Sequence, residues 1–185
     1  MRYLILVFLF IAGTKEAKAQ RMAPGQKAIE FSAGSFSGEL PFRNYYLQLA
    51  LNTYRDGGRY LWHGLEYGHR YGYYRELAIP VESYLAEAGY SVPILRNASR
   101  SVSLNVGLAG VVGYETVNRG KKLLFDGAEI SNEDTAAYGI GGRLSLEVYV
   151  CDGFVVFIQG RVKQLWGTDQ DPLRFSAGAG VRINF

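Results

Sequence analysis

The chain has 185 residues, a formal net charge of +3, and many glycines (23) and tyrosines (14). This small excess of basic residues argues against a nucleic-acid-binding protein, which needs a clustered basic face. The single cysteine, Cys151, excludes an intramolecular disulfide framework, and no Pro-rich or Ser-rich linker divides the chain.

The first residues predict an export signal. Arg2 is followed by an apolar run over residues 3–12, and the polar stretch after it ends in Ala17-Lys18-Ala19, which has small residues where signal peptidase reads them. The run is shorter than the roughly 20 apolar residues of a transmembrane helix. We therefore expect residues 1–19 to be a cleaved signal peptide and residues 20–185 to form one exported domain, whose charge is closer to neutral.

The rest of the chain predicts strands. After residue 19 no apolar segment has the length of a membrane helix, so any membrane contact must be made by strands. Eight segments alternate with a period of two, which is the β-strand pattern. They cover residues 27–36, 44–54, 59–71, 77–87, 101–117, 137–150, 154–166 and 173–185.

The last of these segments indicates which face is inside. Val181 and Ile183 lie on an apolar face, whereas Gly178, Gly180 and Arg182 lie on the other. A soluble barrel would carry long charged residues on its outer face, but here the face opposite the apolar one is rich in small residues. A narrow membrane barrel needs small and polar residues inside. The pattern predicts an all-β, eight-stranded antiparallel up-and-down barrel of the outer-membrane type, with a soluble periplasmic ligand-binding β-barrel as the alternative.

Charged side chains on the inner face need partners, because an unpaired buried charge costs several kcal/mol. The predicted register brings carboxylates close to basic groups on other strands. The expected interior ion pairs are Glu115 with Arg143, Glu147 with Arg161 or Lys163, and Glu30 with Arg182 across the closing seam.

Loop lengths predict the orientation. Residues 55–58 and 151–153 are tight-turn sequences, whereas residues 118–136 form a long polar connection. In outer-membrane barrels the short turns face the periplasm and the long loops face outward, so an even number of strands leaves both termini in the periplasm. Residues 88–100, assigned to the periplasmic side, are too long for a tight turn.

Tyr60 and Trp62 lie near a strand end, which suits either an interfacial aromatic girdle or ordinary strand propensity.

Catalytic and metal-binding patterns are weak. His63 and His69 share one strand face at a spacing of six, without further histidine or cysteine ligands. Ser83 follows Glu82, but no third group completes a hydrolase arrangement. The sequence therefore predicts no catalytic residue, metal, cofactor or small-molecule substrate. An outer-membrane enzyme acting on lipid or surface polymer is the alternative, supported only by the fold class and the two histidines.

A longer string provides a resemblance. Residues 113–127 read Gly-Tyr-Glu-Thr-Val-Asn-Arg-Gly-Lys-Lys-Leu-Leu-Phe-Asp-Gly. This string resembles the signature of the TraO family, conjugal-transfer proteins encoded by conjugative transposons of Bacteroides and relatives. Further similarity at residues 78–81, 87–90 and 165–167 extends the resemblance over most of the mature chain. Separately, Phe185 at the end of the last strand resembles the C-terminal assembly signal of outer-membrane barrels.

The resemblance implies a non-enzymatic outer-membrane component of a conjugative DNA-transfer apparatus, which acts as a structural or assembly subunit without touching DNA. Its expected partners are other conjugation-apparatus proteins, outer-membrane lipid and the barrel-assembly machinery. The family supplies no catalytic residues. The motif positions, expected to serve loop structure or partner contact, are Tyr114, Glu115, Asn118, Gly120, Lys121, Lys122, Phe125, Asp126 and Gly127.

Overall fold

A computed structural model describes residues 23–37, 43–74, 77–99, 101–118, 135–168 and 170–185. Neighbouring strands pair antiparallel in chain order, and β8 pairs with β1 to close the barrel, which confirms the predicted fold class. Among the described residues, no helix is long and apolar enough to span a bilayer. The strands are β1 (Lys27–Phe36), β2 (Tyr45–Tyr54), β3 (Tyr60–Tyr74), β4 (Leu77–Arg96), β5 (Val102–Val117), β6 (Thr135–Cys151), β7 (Phe154–Trp166) and β8 (Leu173–Asn184).

The strands are tilted relative to the barrel axis. Residue pairs followed around the barrel from Lys27 arrive at Phe175 on β8. The carbonyl of Phe175 accepts a hydrogen bond from the amide of Ser37, ten residues beyond Lys27 on the chain. A closed sheet acquires such a stagger only when its strands slant. Residues paired across neighbouring strands therefore lie at different heights along the barrel.

The two faces of the wall have opposite chemistry. On β2, Leu47, Leu49 and Leu51 are exposed, whereas the intervening Gln48 and Asn52 are buried. The same alternation runs along β5, β6, β7 and β8. The apolar side chains point outward and the polar ones inward, which confirms the predicted inside-out arrangement of a membrane barrel.

Inner-face glycines make room for large rings. A Cβ atom built on Gly89 or Gly107 would lie 2.3 or 2.7 Å from the Trp62 indole, and one built on Gly178 would lie 2.4 Å from the Tyr46 hydroxyl. Tyr60 and Trp62 are both buried in the interior. Their interpretation as an interfacial girdle was therefore wrong, because their even-numbered positions on β3 face the lumen.

The expected long connection at residues 88–100 does not form. β4 continues to Arg96, so that only residues 97–101 join it to β5. The Asn97 side chain shapes this turn, since its Oδ1 accepts from the Val102 amide at 3.0 Å. A register shift between Pro93 and Leu95 marks a bulge, which breaks the period-two alternation and hid this part of the strand from sequence analysis. The three short turns thus share one end of the barrel with the start of β1 and the end of β8.

We call this end of the barrel the terminus end and the opposite end the loop end. The turn after β2 is tight, because the Arg55 amide donates to the Arg59 carbonyl at 2.7 Å. Gly57 and Gly58 within it have φ values of 70° and 69°, which lie in the left-handed region where glycine is preferred. The terminus end is therefore built from compact connections.

Candidate functional site

The barrel interior is filled by three clusters of charged side chains. The terminus-end cluster comprises Glu30, Arg143, Glu147 and Arg182, the central cluster comprises Glu66, Glu87, Arg161 and Lys163, and the loop-end cluster comprises Arg70, Glu115 and Arg174. Strands from all round the wall contribute to them.

The terminus-end cluster is centred on Arg182. Its guanidinium lies 2.7 Å from Glu30 and 2.9 Å from Glu147, and Arg143 reaches the second oxygen of Glu30 at 2.8 Å. The Tyr60 hydroxyl accepts from Arg182 and donates to Glu147. Two carboxylates thus face two guanidiniums in a fully buried network, in which charge is balanced by direct contact.

The central cluster crosses the lumen. Arg161 and Lys163 on β7 each contact both Glu66 on β3 and Glu87 on β4, with Arg161 2.5 Å from each carboxylate. The Gln48 amide also donates to Glu87 at 2.9 Å. Because β7 lies across the barrel from β3 and β4, these contacts occupy the lumen itself.

The loop-end cluster contains the one described carboxylate of the family motif that points inward. Both terminal nitrogens of Arg174 donate to Glu115, and Thr168, on the connection between β7 and β8, also donates to it at 2.5 Å. Arg70 lies 3.8 Å from Glu115. This cluster therefore links the top of β5, the start of β8 and a loop residue.

The observed partners differ from the expected pairs in two of three cases. Glu30 and Arg182 do meet across the seam between β1 and β8. Glu115 contacts Arg174 and not Arg143, because Arg143 lies opposite Gly107, eight residues down β5 from Glu115. Likewise Glu147 contacts Arg182, whereas Arg161 and Lys163 contact Glu66 and Glu87.

Sequence analysis missed Glu66 and Glu87 as partners. Their positions on the inner faces of β3 and β4 were available from strand alternation. The expected pairs all join neighbouring strands, whereas long side chains in an eight-stranded barrel reach strands on the opposite wall.

The described part of the family motif spans the top of β5. Tyr114 points outward and is exposed, Glu115 points inward, and Asn118 has a φ of 51° directly after the strand. The remaining motif positions lie outside the described residues: Gly120, Lys121, Lys122, Phe125, Asp126 and Gly127.

Aromatic side chains line the outer wall near the loop end on β3 to β7. The rings of Tyr67 and Tyr84 are 5.4 Å apart, and those of Tyr138 and Trp166 are 6.1 Å apart. Tyr114 lies near the same level, so these rings form a belt. Amphipathic rings at this position are typical of a membrane–water boundary.

The residues considered for catalysis are not brought together. Ser83 points into the barrel, whereas Glu82 lies on the other face and contacts His69, with 3.9 Å between Oε1 and Nδ1. His63 lies six residues away on the outer face of β3. No group of three potential metal ligands occurs within the described ranges.

Comparison with known proteins finds solved structures of similar architecture. No curated protein sequence matches the chain. Neisserial surface protein A has a TM-score of 0.59 at 15% identity, with 87% of this chain and 97% of that chain covered. The attachment invasion locus protein Ail of Yersinia pestis has a TM-score of 0.56 at 15% identity, with 88% and 100% covered.

The N-terminal β-barrel domain of OprF from Pseudomonas aeruginosa has a TM-score of 0.50 at 15% identity, covering 87% of this chain and 98% of that domain. At these identities the likeness concerns the fold alone. The family described as "Conjugative transposon protein TraO" matches residues 23–185. The chain, a closed eight-stranded barrel whose interior is filled by ion-paired side chains, therefore belongs to the TraO family.

Proposed function

We propose that this protein is a non-enzymatic outer-membrane subunit of a conjugative DNA-transfer apparatus, with a structural or assembly role. Membership of the TraO family supports the link to conjugative transposons. The outward apolar side chains of every strand support a location in a bilayer. The fold of the solved outer-membrane barrels supports the same location.

The filled interior is the observation that carries the structural role. Arg161 and Lys163 reach across the lumen to Glu66 and Glu87, so side chains close the space through which a strand of DNA would have to pass. Wide, water-filled lumens belong to barrels with more strands. A single copy therefore acts through its surface and loops, without a conduit of its own and without direct contact to nucleic acid.

The proposed contact surface is at the loop end. Tyr114 and Asn118 lie where β5 enters the connection of residues 119–134, which holds the rest of the family motif. Buried Glu115 anchors the same strand end to Arg174. We assign this region to contact with other conjugation proteins, facing the cell exterior, with both chain termini in the periplasm.

Export and assembly complete the proposal. Residues 1–19 serve as the signal peptide, and Phe185 serves as the signal for the barrel-assembly machinery. The backbone of Phe185 exchanges hydrogen bonds with Lys27 at the seam, so this residue lies where the first and last strands meet.

Replacing residues 119–134 by a short Gly-Ser linker tests the role of the loop. We expect heat-modifiable gel mobility to be retained, because the linker leaves all eight strands intact, and mating frequency to fall at least tenfold. A Gly-Ser insertion at residues 75–76, in another loop-end connection, is the control and should leave mating unchanged. Normal mating by the linker variant would refute the proposal.

A further inference from the structure

The charges inside the barrel do not cancel at the loop end. The terminus-end cluster holds two carboxylates and two guanidiniums, and the central cluster holds two carboxylates, one guanidinium and one ammonium. The loop-end cluster holds two guanidiniums, of Arg70 and Arg174, but only one carboxylate, of Glu115. Among the described residues, the interior therefore carries one excess positive charge, and this charge lies at the loop end.

Arg70 is the cation without a counter-charge of its own. Both terminal nitrogens of Arg174 donate to Glu115, so this carboxylate is already paired. Arg70 lies 3.8 Å from Glu115, beyond hydrogen-bond distance, and forms no ion pair with any other described residue. Its Nη2 atom is buried without a hydrogen-bond partner, and only 14% of its side chain is exposed. A cation held this far from water needs an anion beside it.

The next inward position beyond Arg70 on β3 carries no side chain. Arg70 is the last charged residue of this strand, and Gly72 follows it on the inner face toward the loop end. A Cβ atom built on Gly72 would approach no atom more closely than 3.5 Å, the nearest being Oε1 of Gln170. Phe36, at the end of β1, supports the guanidinium, whose Cζ lies 5.6 Å from the ring centre. Arg70 is thus held in place near the mouth of the barrel.

The size of the excess charge favours a carboxylate as the missing anion. A planar guanidinium binds carboxylate and phosphate groups through parallel hydrogen bonds. One carboxylate cancels one positive charge, whereas a phosphate monoester carries roughly −1.5 to −2 and would lie close to Glu115. A nucleic-acid backbone brings one charge with every nucleotide and needs a clustered basic face, which a single arginine does not provide.

The carboxylate has to belong to a larger molecule. A free carboxylate such as acetate would be held at Arg70 by one ion pair, and a single ion pair near water is a weak interaction. An acidic side chain of a protein is held by the rest of its interface as well. The loop end is the surface that we assign to contact with other conjugation proteins.

We propose that Arg70 receives an aspartate or glutamate side chain of another conjugation protein at the mouth of the barrel. This inference rests on the proposed function and names the chemistry of its contact surface. Without that partner, the unpaired guanidinium destabilises the barrel, as residues that serve binding commonly do. The stability of the isolated protein and the mating frequency should therefore respond to Arg70 in opposite directions.

Urea unfolding of the purified protein in detergent micelles tests whether Arg70 lacks a partner. Arg70→Met removes the charge and keeps an apolar side chain against Phe36, so the urea midpoint should rise. Arg174→Met, the same substitution in the same cluster, is the control and should lower the midpoint, because Glu115 loses its paired cation. An unchanged or lower midpoint for Arg70→Met would mean that this chain already neutralises Arg70, and would overturn the proposal.

Mating frequency tests whether the charge serves transfer. Arg70→Met should lower it at least tenfold at an unchanged amount of folded barrel. Arg43→Gln removes an exposed charge from the connection between β1 and β2, also at the loop end, and should leave mating unchanged. Normal mating by Arg70→Met would overturn this inference alone if the linker variant of residues 119–134 is impaired. Normal mating by both variants would refute the proposed function as well.

A charge reversal tests where the carboxylate comes from. Arg70→Glu should abolish mating, and suppressor mutations should replace an acidic residue of another conjugation protein by lysine or arginine. Such a suppressor should restore mating by Arg70→Glu at least tenfold, without restoring mating by Arg70→Met. Suppressors confined to residues 119–134 of this chain would assign the carboxylate to its own loop and overturn the proposal. The absence of acidic-to-basic suppressors in other conjugation proteins would overturn it as well.

Discussion

The buried charges at the two ends of the barrel interior are neutralised by different arrangements of side chains. At the terminus end, two carboxylates and two guanidiniums are enclosed with tyrosine hydroxyls, and Arg182 contacts both acids. At the loop end, a single carboxylate, Glu115, is held by Arg174 with the help of Thr168 from a loop. The terminus-end cluster joins side chains from β1, β6 and β8. The loop-end cluster joins Thr168, on the connection between β7 and β8, to Glu115 on β5 and Arg174 on β8.

We expect the terminus-end cluster to matter mainly for stability and the loop-end cluster mainly for the proposed function. The terminus-end cluster lies beneath compact turns and bridges the β1–β8 seam, so its loss should unfold the barrel. The loop-end cluster holds Glu115, near the end of β5 that leads into residues 119–134 of the family motif, so its loss should mainly affect the proposed contact region. Substitutions inside and outside the two clusters test this contrast, from the largest expected effect to the smallest.

Arg182→Leu should have the largest effect on stability. It leaves Glu30 without its seam partner and Glu147 without a cation, and breaking a buried pair costs roughly 3 to 5 kcal/mol. We expect a lower urea midpoint in detergent micelles and loss of the heat-resistant folded band. A variant as stable as the parent would contradict the importance of the seam pair.

Val181→Arg should lower the stability nearly as much, although the neighbouring Arg182 stabilises the fold from the inner face. Val181 lies on the outer face of β8, where an arginine near the bilayer midplane costs roughly 2 to 4 kcal/mol. Val106→Arg on β5 should behave alike. As a control, Val148→Arg lies near the terminus end of β6 and should lower the free energy of unfolding less. The same unfolding assay in lipid measures all three variants.

Glu115→Gln should destabilise the protein less than Arg182→Leu, by about 1 to 3 kcal/mol, since it removes the carboxylate that satisfies Arg174. Relative to its effect on stability, its effect on mating should be larger than that of Arg182→Leu, because the end of β5 that leads into the family motif loses its contact with Arg174. Measuring the urea midpoint and the mating frequency of the same variant separates the two effects. A loss of stability equal to that of Arg182→Leu would erase the proposed contrast between the ends.

Cys151→Ser should have the smallest effect. The thiol is free and exposed at the end of β6, and surface substitutions of this kind usually stay within about 0.5 kcal/mol. The urea midpoint should therefore match that of the parent. A clear shift would reveal a stabilising contact of the thiol and would contradict this expectation.

Most of the wall could be predicted from sequence, but much of the interior could not. Period-two alternation located all eight strands, and it failed where Pro93 and the adjacent bulge interrupt β4. The pairing of Glu30 with Arg182 followed from neighbouring strands. The pairing of Arg161 with Glu66 did not, because contacts across a lumen depend on the diameter and stagger of the closed barrel, which no single strand encodes.

The seam between β1 and β8 also constrains how the protein can be made. A chain that stops before β8 would leave the facing edges of β1 and β7 without backbone partners, and such edges promote aggregation. It would equally leave Glu30 without Arg182. The docking of β8 against β1 is therefore the step that both closes the sheet and pairs Glu30 with Arg182.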